Sequence, residues 1–209
     1  MILYLLTLFL CLIADSIPSK YSALKRLILI WLYIFLCFGY MTGSDWRNYE
    51  LIYTDNTDNE LLSSSYEKGF YYLIFFARQL ISDFWIFLAL VKILYLFAVI
   101  KFIKLFTHRI FMALALMINI NLLFMLVDNP LRFMIGFTIL LFATRFLLQR
   151  KMWHFSFFGI LAIFFHISLI IPVLICGTIF YQDKLINKGN KTLIIIYCIC
   201  GSVAFFPNL

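Results

Sequence analysis

The chain has 209 residues, of which 65% are hydrophobic, 20% aromatic and 13% charged, with a net charge of +7. A soluble domain is about 45–50% apolar and about 25% charged, so this composition leaves too few polar side chains to cover a water-facing surface. It excludes a soluble globule, a disordered chain and a disulfide-stapled secreted module, and leaves an all-α, polytopic transmembrane helical bundle.

The first apolar run, 2–14, follows Met1 with no basic n-region and no A-x-A cleavage site, so it reads as a retained first span rather than a signal peptide. The stretch 15–26 carries Lys20, Lys25 and Arg26 and is expected in the cytoplasm. A second run, 27–42, leads to the longest polar stretch, 43–68, which holds six of the ten acids and is expected outside. Two runs, 69–81 and 84–100, then separate this outer stretch from Lys101, Lys104 and Arg109. An odd number of crossings is needed between them, so 84–100 should cross while a short helix at 69–82 lies at the outer interface or re-enters.

The run 110–127 should return to the outer side, and 131–148 should cross back to Arg145, Arg150 and Lys151. Runs 153–165 and 167–181 lie between those basic residues and Lys184, Lys188 and Lys191, which calls for an even number of crossings. The expectation is a hairpin of two tight spans reversing near His166; the alternative is one span with the lysine stretch outside. A last run covers 192–206. This makes about seven to eight spans in a single domain, 1–209, with an outer acidic loop at 43–68. Several runs fall short of the roughly 20 residues that cross a hydrocarbon core, which suits half-spans, interfacial helices and kinked spans.

The four basic stretches hold twelve of the seventeen Lys and Arg, so the positive charge marks cytoplasmic loops and points to no nucleic-acid partner. The five cysteines, Cys11, Cys37, Cys176, Cys198 and Cys200, lie in apolar runs without metal-ligand spacing. No metal and no other cofactor is expected. Phosphate loops, H-E-x-x-H and G-x-S-x-G are absent.

Four groups carry chemistry, and topology places their ionisable residues on the outer side. Gly43-Ser44-Asp45-Trp46-Arg47-Asn48-Tyr49 stands where the second span emerges; glycine permits a tight turn, and the aromatics suit the interface. Glu67 heads an aromatic-rich run, where a carboxylate suits a helix N-terminus, and Arg78 follows in the same run within reach of phosphate or headgroups. In Asp128-Asn129-Pro130-Leu131-Arg132-Phe133, Asp128 or Asn129 suits a cap, Pro130 a first turn, and Arg132 projects near a helix N-terminus that favours an anion. An arginine at the outer end of a span runs against the positive-inside tendency and is the least ordinary charge in the chain. Phe164-Phe165-His166-Ile167-Ser168 places a histidine between apolar runs, either as a neutral group bonded to a carbonyl or as a general acid/base or a hydrogen-bond donor to phosphate. Lys92 lies within a span, and its spacing does not decide between snorkelling and a polar cavity.

In their order, these groups resemble the EpsG family of bacterial exopolysaccharide proteins, relatives of the Wzy-type O-antigen and capsule polymerases. The resembling residues are Gly43-Ser44-Asp45-Trp46-Arg47-Asn48-Tyr49, Glu67-Lys68-Gly69-Phe70, Leu131-Arg132, Arg150-Lys151, and Phe165-His166-Ile167-Ser168-Leu169-Ile170 with Pro172. The chain departs from the family at Gly39, where an arginine is common, at Lys68, where a proline is, and at Phe133, where a glutamine is. Family members usually continue with further spans, so this chain is expected to be a shorter relative.

The resemblance implies a multi-pass protein of the bacterial inner membrane, partnered by the bilayer, by a polyprenyl-diphosphate-linked oligosaccharide and by other polysaccharide-assembly membrane proteins. Its implied activity is a glycosyltransferase-type polymerisation of repeat units at the outer face. Asp45 is then the first candidate base and His166 the second, Arg132 the candidate for the diphosphate with Arg47 or Arg78 assisting, and Glu67 and Tyr49 further substrate-binding residues. A non-catalytic membrane subunit, a lipid-linked glycan transporter and an inactive remnant are the other readings.

Overall fold

The computed structural model of the protein describes residues 2–17, 21–37, 45–54, 67–119 and 131–186. Among them the chain is helical throughout, with no strand: α1 (Ile2–Ala14), α2 (Ser22–Cys37), α3 (Trp46–Thr54), α4 (Lys68–Leu80), α5 (Phe84–Ile103), α6 (Ile110–Asn119), α7 (Leu131–Leu148), α8 (Met152–Phe165), a 3-10 turn (Ile167–Leu169) and α9 (Ile170–Ile186). The expected cap at Asp128–Pro130, most of the acidic stretch and the run 192–206 lie outside the described residues.

Two described helices, α5 and α7, are long and apolar enough to cross a membrane, and α1, α6 and α8 are shorter apolar helices. At 1.5 Å per residue α5 spans about 30 Å, the thickness of a hydrocarbon core. The outward face of α8 supports the same environment. Trp153, Phe157, Ile160 and Phe164, spaced four, three and four apart, are 89%, 65%, 69% and 42% exposed. That continuous apolar stripe is stable against lipid and unfavourable against water.

The helices pack in sequence-distant pairs. Tyr4 on α1 donates to the Ile118 carbonyl of α6, and the Trp31 indole on α2 donates to Thr7 Oγ1 at 3.0 Å. Asp15, just past α1, accepts the Met112 N–H at 2.7 Å and so satisfies one of the open donors at the start of α6. Helices α5 and α7 run side by side in the same direction. Phe97 and Phe142, twelve or so residues into each, have ring centroids 6.1 Å apart. Tyr95, Leu96, Val99 and Met134 fill the core with no or almost no exposure.

The turn from α7 to α8 is a Schellman cap. Lys151 N–H bonds to the Phe146 carbonyl and Arg150 N–H to that of Leu147, while Arg150 takes a φ of 58°. The two helices then run antiparallel, with Phe146 stacked on Phe158 at 5.4 Å.

The reversal at His166 is present. A Cβ built at Gly159 would lie 3.0 Å from Val173, so residues equally spaced before and after His166 face each other across α8 and α9. Pro172 supplies the reason for the break: in a continuous helix its ring would clash with the Ser168 carbonyl, whereas in the first turn of α9 its missing N–H costs nothing. His166 itself is extended, with φ −158° and ψ 117°.

Helix α3 was not evident from patterning, because it lies in the polar stretch 43–68. A nine-residue helix is marginal alone, and it is held here by Tyr49 and Tyr53, four apart on one face and both buried. Tyr53 donates to the Ile81 carbonyl at 2.6 Å and stacks on Phe87 at 5.0 Å. Burying each such ring contributes on the order of 1.5–3 kcal/mol.

Candidate functional site

Two close helix approaches build the site. A Cβ at Gly69 would lie 2.6 Å from the Phe164 carbonyl oxygen, so only glycine lets the start of α4 seat against the end of α8. A Cβ at Gly136 would lie 2.8 Å from the Ala162 carbonyl oxygen, so α7 approaches the same turn of α8 from another side. The N-terminus of α4, the N-terminus of α7 and the α8–α9 break therefore meet at one end of the bundle. The basic residues Arg145, Arg150 and Lys151 lie at the other end of α7, about 20 Å away along the helix.

Glu67 is the hub. Arg132 Nη1 donates to its Oε2, and His166 Nδ1 lies 2.8 Å from its Oε1. Arg132, Glu67 and His166 are 21%, 19% and 18% exposed, so the group is largely desolvated yet reachable by a ligand. The Tyr49 phenol oxygen is a further partner of the Arg132 guanidinium, and the Tyr49 ring sits edge-on to the buried Phe70 at 5.5 Å. Phe133 packs its ring edge-to-face with His166 at 5.6 Å.

Burial pushes the Glu67 carboxyl up, but its own backbone N–H, the Arg132 charge and the His166 hydrogen bond outweigh it, and the net value lies below the ordinary carboxylate range. An ionised Glu67 accepts hydrogen bonds and donates none, so Nδ1 of His166 carries the proton. The other ring nitrogen, Nε2, makes no hydrogen bond with the described residues.

A family model matches residues 2–209. The chain belongs to the EpsG family. No curated protein and no solved structure matches it. EpsG membership places the chain among the membrane proteins of polysaccharide biosynthesis.

Of the EpsG-like motif residues, the structure brings together Tyr49, Glu67, Arg132 and His166, which are separated by as many as 117 positions in sequence. Asp45, Arg47 and Arg78 are not among the partners of Glu67. The Asp45 carbonyl accepts the Tyr49 N–H at 3.2 Å at the start of α3, and Arg47 is exposed on that helix. Arg78 is in the last turn of α4, about 16 Å along the helix from Glu67, with the Tyr53 phenol within reach of its charge.

Sequence reasoning placed Glu67 as a cap and a substrate contact, and its bridging role was not legible. The carboxylate makes no side-chain cap hydrogen bond to α4 and turns instead to Arg132 and His166. Phe133 was also missed as the ring that seats the imidazole. Gly69, two residues after Glu67, was the available signal, since a glycine inside a helix start points to a close backbone approach.

Proposed function

We propose that this EpsG-family chain is a multi-pass protein of the bacterial inner membrane that polymerises polyprenyl-diphosphate-linked oligosaccharide repeat units at its outer face. In this reading the bundle has seven to eight spans, and α4 lies at the outer interface. The observation that carries the proposal is one carboxylate, Glu67, holding an arginine with one oxygen and a histidine with the other.

The chemistry matches those groups to two needs. A hydroxyl of one chain attacks the anomeric carbon of another; a new C–O bond forms as the bond to the diphosphate oxygen breaks. The hydroxyl proton passes to His166 Nε2, and the bond's electron pair leaves with the diphosphate. Glu67 orients the imidazole through Nδ1 and stabilises the imidazolium that forms, the role a carboxylate plays beside a histidine base. Arg132 has five N–H donors, so it can keep its bond to Glu67 while others meet the charge developing on the diphosphate. His166 thereby moves ahead of Asp45 as the base. Asp45 is the second candidate, and Arg47 and Arg78 are auxiliary cations for the lipid-linked phosphates.

The test is polymer length analysis in a deletion strain complemented with variants of this chain. Arg132→Ala is expected to lower polymer output on the order of 10²–10³-fold, as when one charge-stabilising donor is lost, while membrane insertion is retained. Arg132→Lys should recover part of it, since lysine keeps the charge without the planar fork. Full-length polymer from Arg132→Ala would refute the assignment.

A further inference from the structure

A second polar–aromatic cluster stands beside the Glu67 site and takes no part in it. Trp46 opens α3, and Trp85 is the second residue of α5. Their ring centroids are 5.6 Å apart with the planes tilted by 41°, and both rings are half-buried. The Trp85 indole N–H donates to Glu50 Oε1 at 3.1 Å, and the Trp85 backbone N–H donates to Asp83 Oδ1 at 2.8 Å. An indole that serves only as an interfacial anchor turns its polar edge to water or headgroups. Here that edge is bound to a carboxylate, which fixes the ring and sets an acidic acceptor beside it.

The cluster is tied to the Glu67 site through one short helix. Tyr49, the partner of Arg132, immediately precedes Glu50, and it lies one helical turn from Trp46. A molecule with its diphosphate at Arg132 and its body running along α3 therefore meets the two indoles next.

We propose that Trp46, Trp85 and Glu50 form a saccharide subsite that binds the glycan portion of the lipid-linked substrate. The apolar C–H face of a pyranose stacks on an indole, and its hydroxyls donate to the Glu50 carboxylate. Glu50 Oε2 makes no hydrogen bond with the described residues and is the acceptor for them. The subsite reads sugar rather than lipid, because an aromatic face flanked by carboxylates repels an anionic headgroup and suits a neutral polyhydroxyl ring. It rests on the polymerase reading for the identity of its ligand.

The experiment uses the full chain in detergent and two probes: the polyprenyl-diphosphate-linked repeat unit isolated from a polymer-deficient strain, and polyprenyl diphosphate without sugar. Trp85→Ala is expected to weaken the sugar-bearing probe at least about tenfold and to leave the bare lipid within about twofold, a loss of about 1.4 kcal/mol specific to the glycan. Glu50→Gln keeps an acceptor for the Trp85 indole and the shape of the side chain; it should show the same selectivity even if Trp85→Ala fails to fold. Equal weakening of both probes, or no change in either, overturns the subsite. Arg132→Ala should weaken both probes; if it changes neither, the diphosphate assignment falls while the saccharide result stands by itself.

Discussion

At the scale of single residues, Glu67 has the sharpest consequences. Its carboxyl is held below the ordinary range of about 4.3, so the stability it contributes is present above that value and is lost as pH falls through its lower folded value. Thermal unfolding of the purified protein followed against pH should therefore show this group's contribution in full, with no pH dependence from it, between neutral pH and about 5, and a fall below that. Glu67→Gln should remove that acid-side component; an unchanged acid limb would contradict the pairing. Glu67→Ala should cost about 1–3 kcal/mol, because it leaves the half-buried Arg132 and His166 without their shared acceptor. Glu67, Arg132 and His166 were each legible as candidates from their unusual positions between apolar runs. That one of them joins the other two was not, because contacts across 65 and 99 positions leave no trace in local spacing.

At the scale of elements, the decisive feature is the seat of α4 on α8. Gly69→Ala places a methyl group against the Phe164 carbonyl oxygen, a backbone atom that cannot swing aside. The start of α4 must then shift, and Glu67 with it. The expected outcome is loss of polymer with normal expression and a stability cost of about 1–3 kcal/mol from overpacking. Wild-type polymer from Gly69→Ala would mean that the seam does not position the site. Most helices were readable from apolar runs: α1, α5, α7 and α8 match them to within a few residues. Helix α3 was not, because its nine residues mix Arg47, Asn48, Glu50 and Thr54 with apolar ones and only Tyr49 and Tyr53 are buried. Helix α9 also runs through Ile186, past the start of the stretch expected as a basic loop. The break at His166 was reached by charge parity, and Pro172 is its local cause.

At the scale of the whole molecule, α5 and α7 share a direction while α7 and α8 oppose each other. Glu67, Arg132 and His166 thus gather at one end, with Arg145, Arg150 and Lys151 at the other. If the gathered end is extracytosolic, single cysteines at positions 45, 132 and 166 in a cysteine-free background should react with a membrane-impermeant reagent in intact cells. Cysteines at 104 and 151 should react only after permeabilisation. Labelling of 132 and 166 from opposite sides would overturn both the topology and the shared site.

Composition determined the solvent this chain requires, because 65% apolar residues cannot be covered by 13% charged ones in water. The period of the apolar runs determined most helices, and the spacing of basic residues predicted a reversal where Pro172 enforces one. The partner of each ionisable side chain was decided only by the tertiary structure. Which carboxylate meets which cation depends on how closely α4 and α7 approach α8, and that distance is set by glycines at 69 and 136, where a single Cβ would collide with backbone.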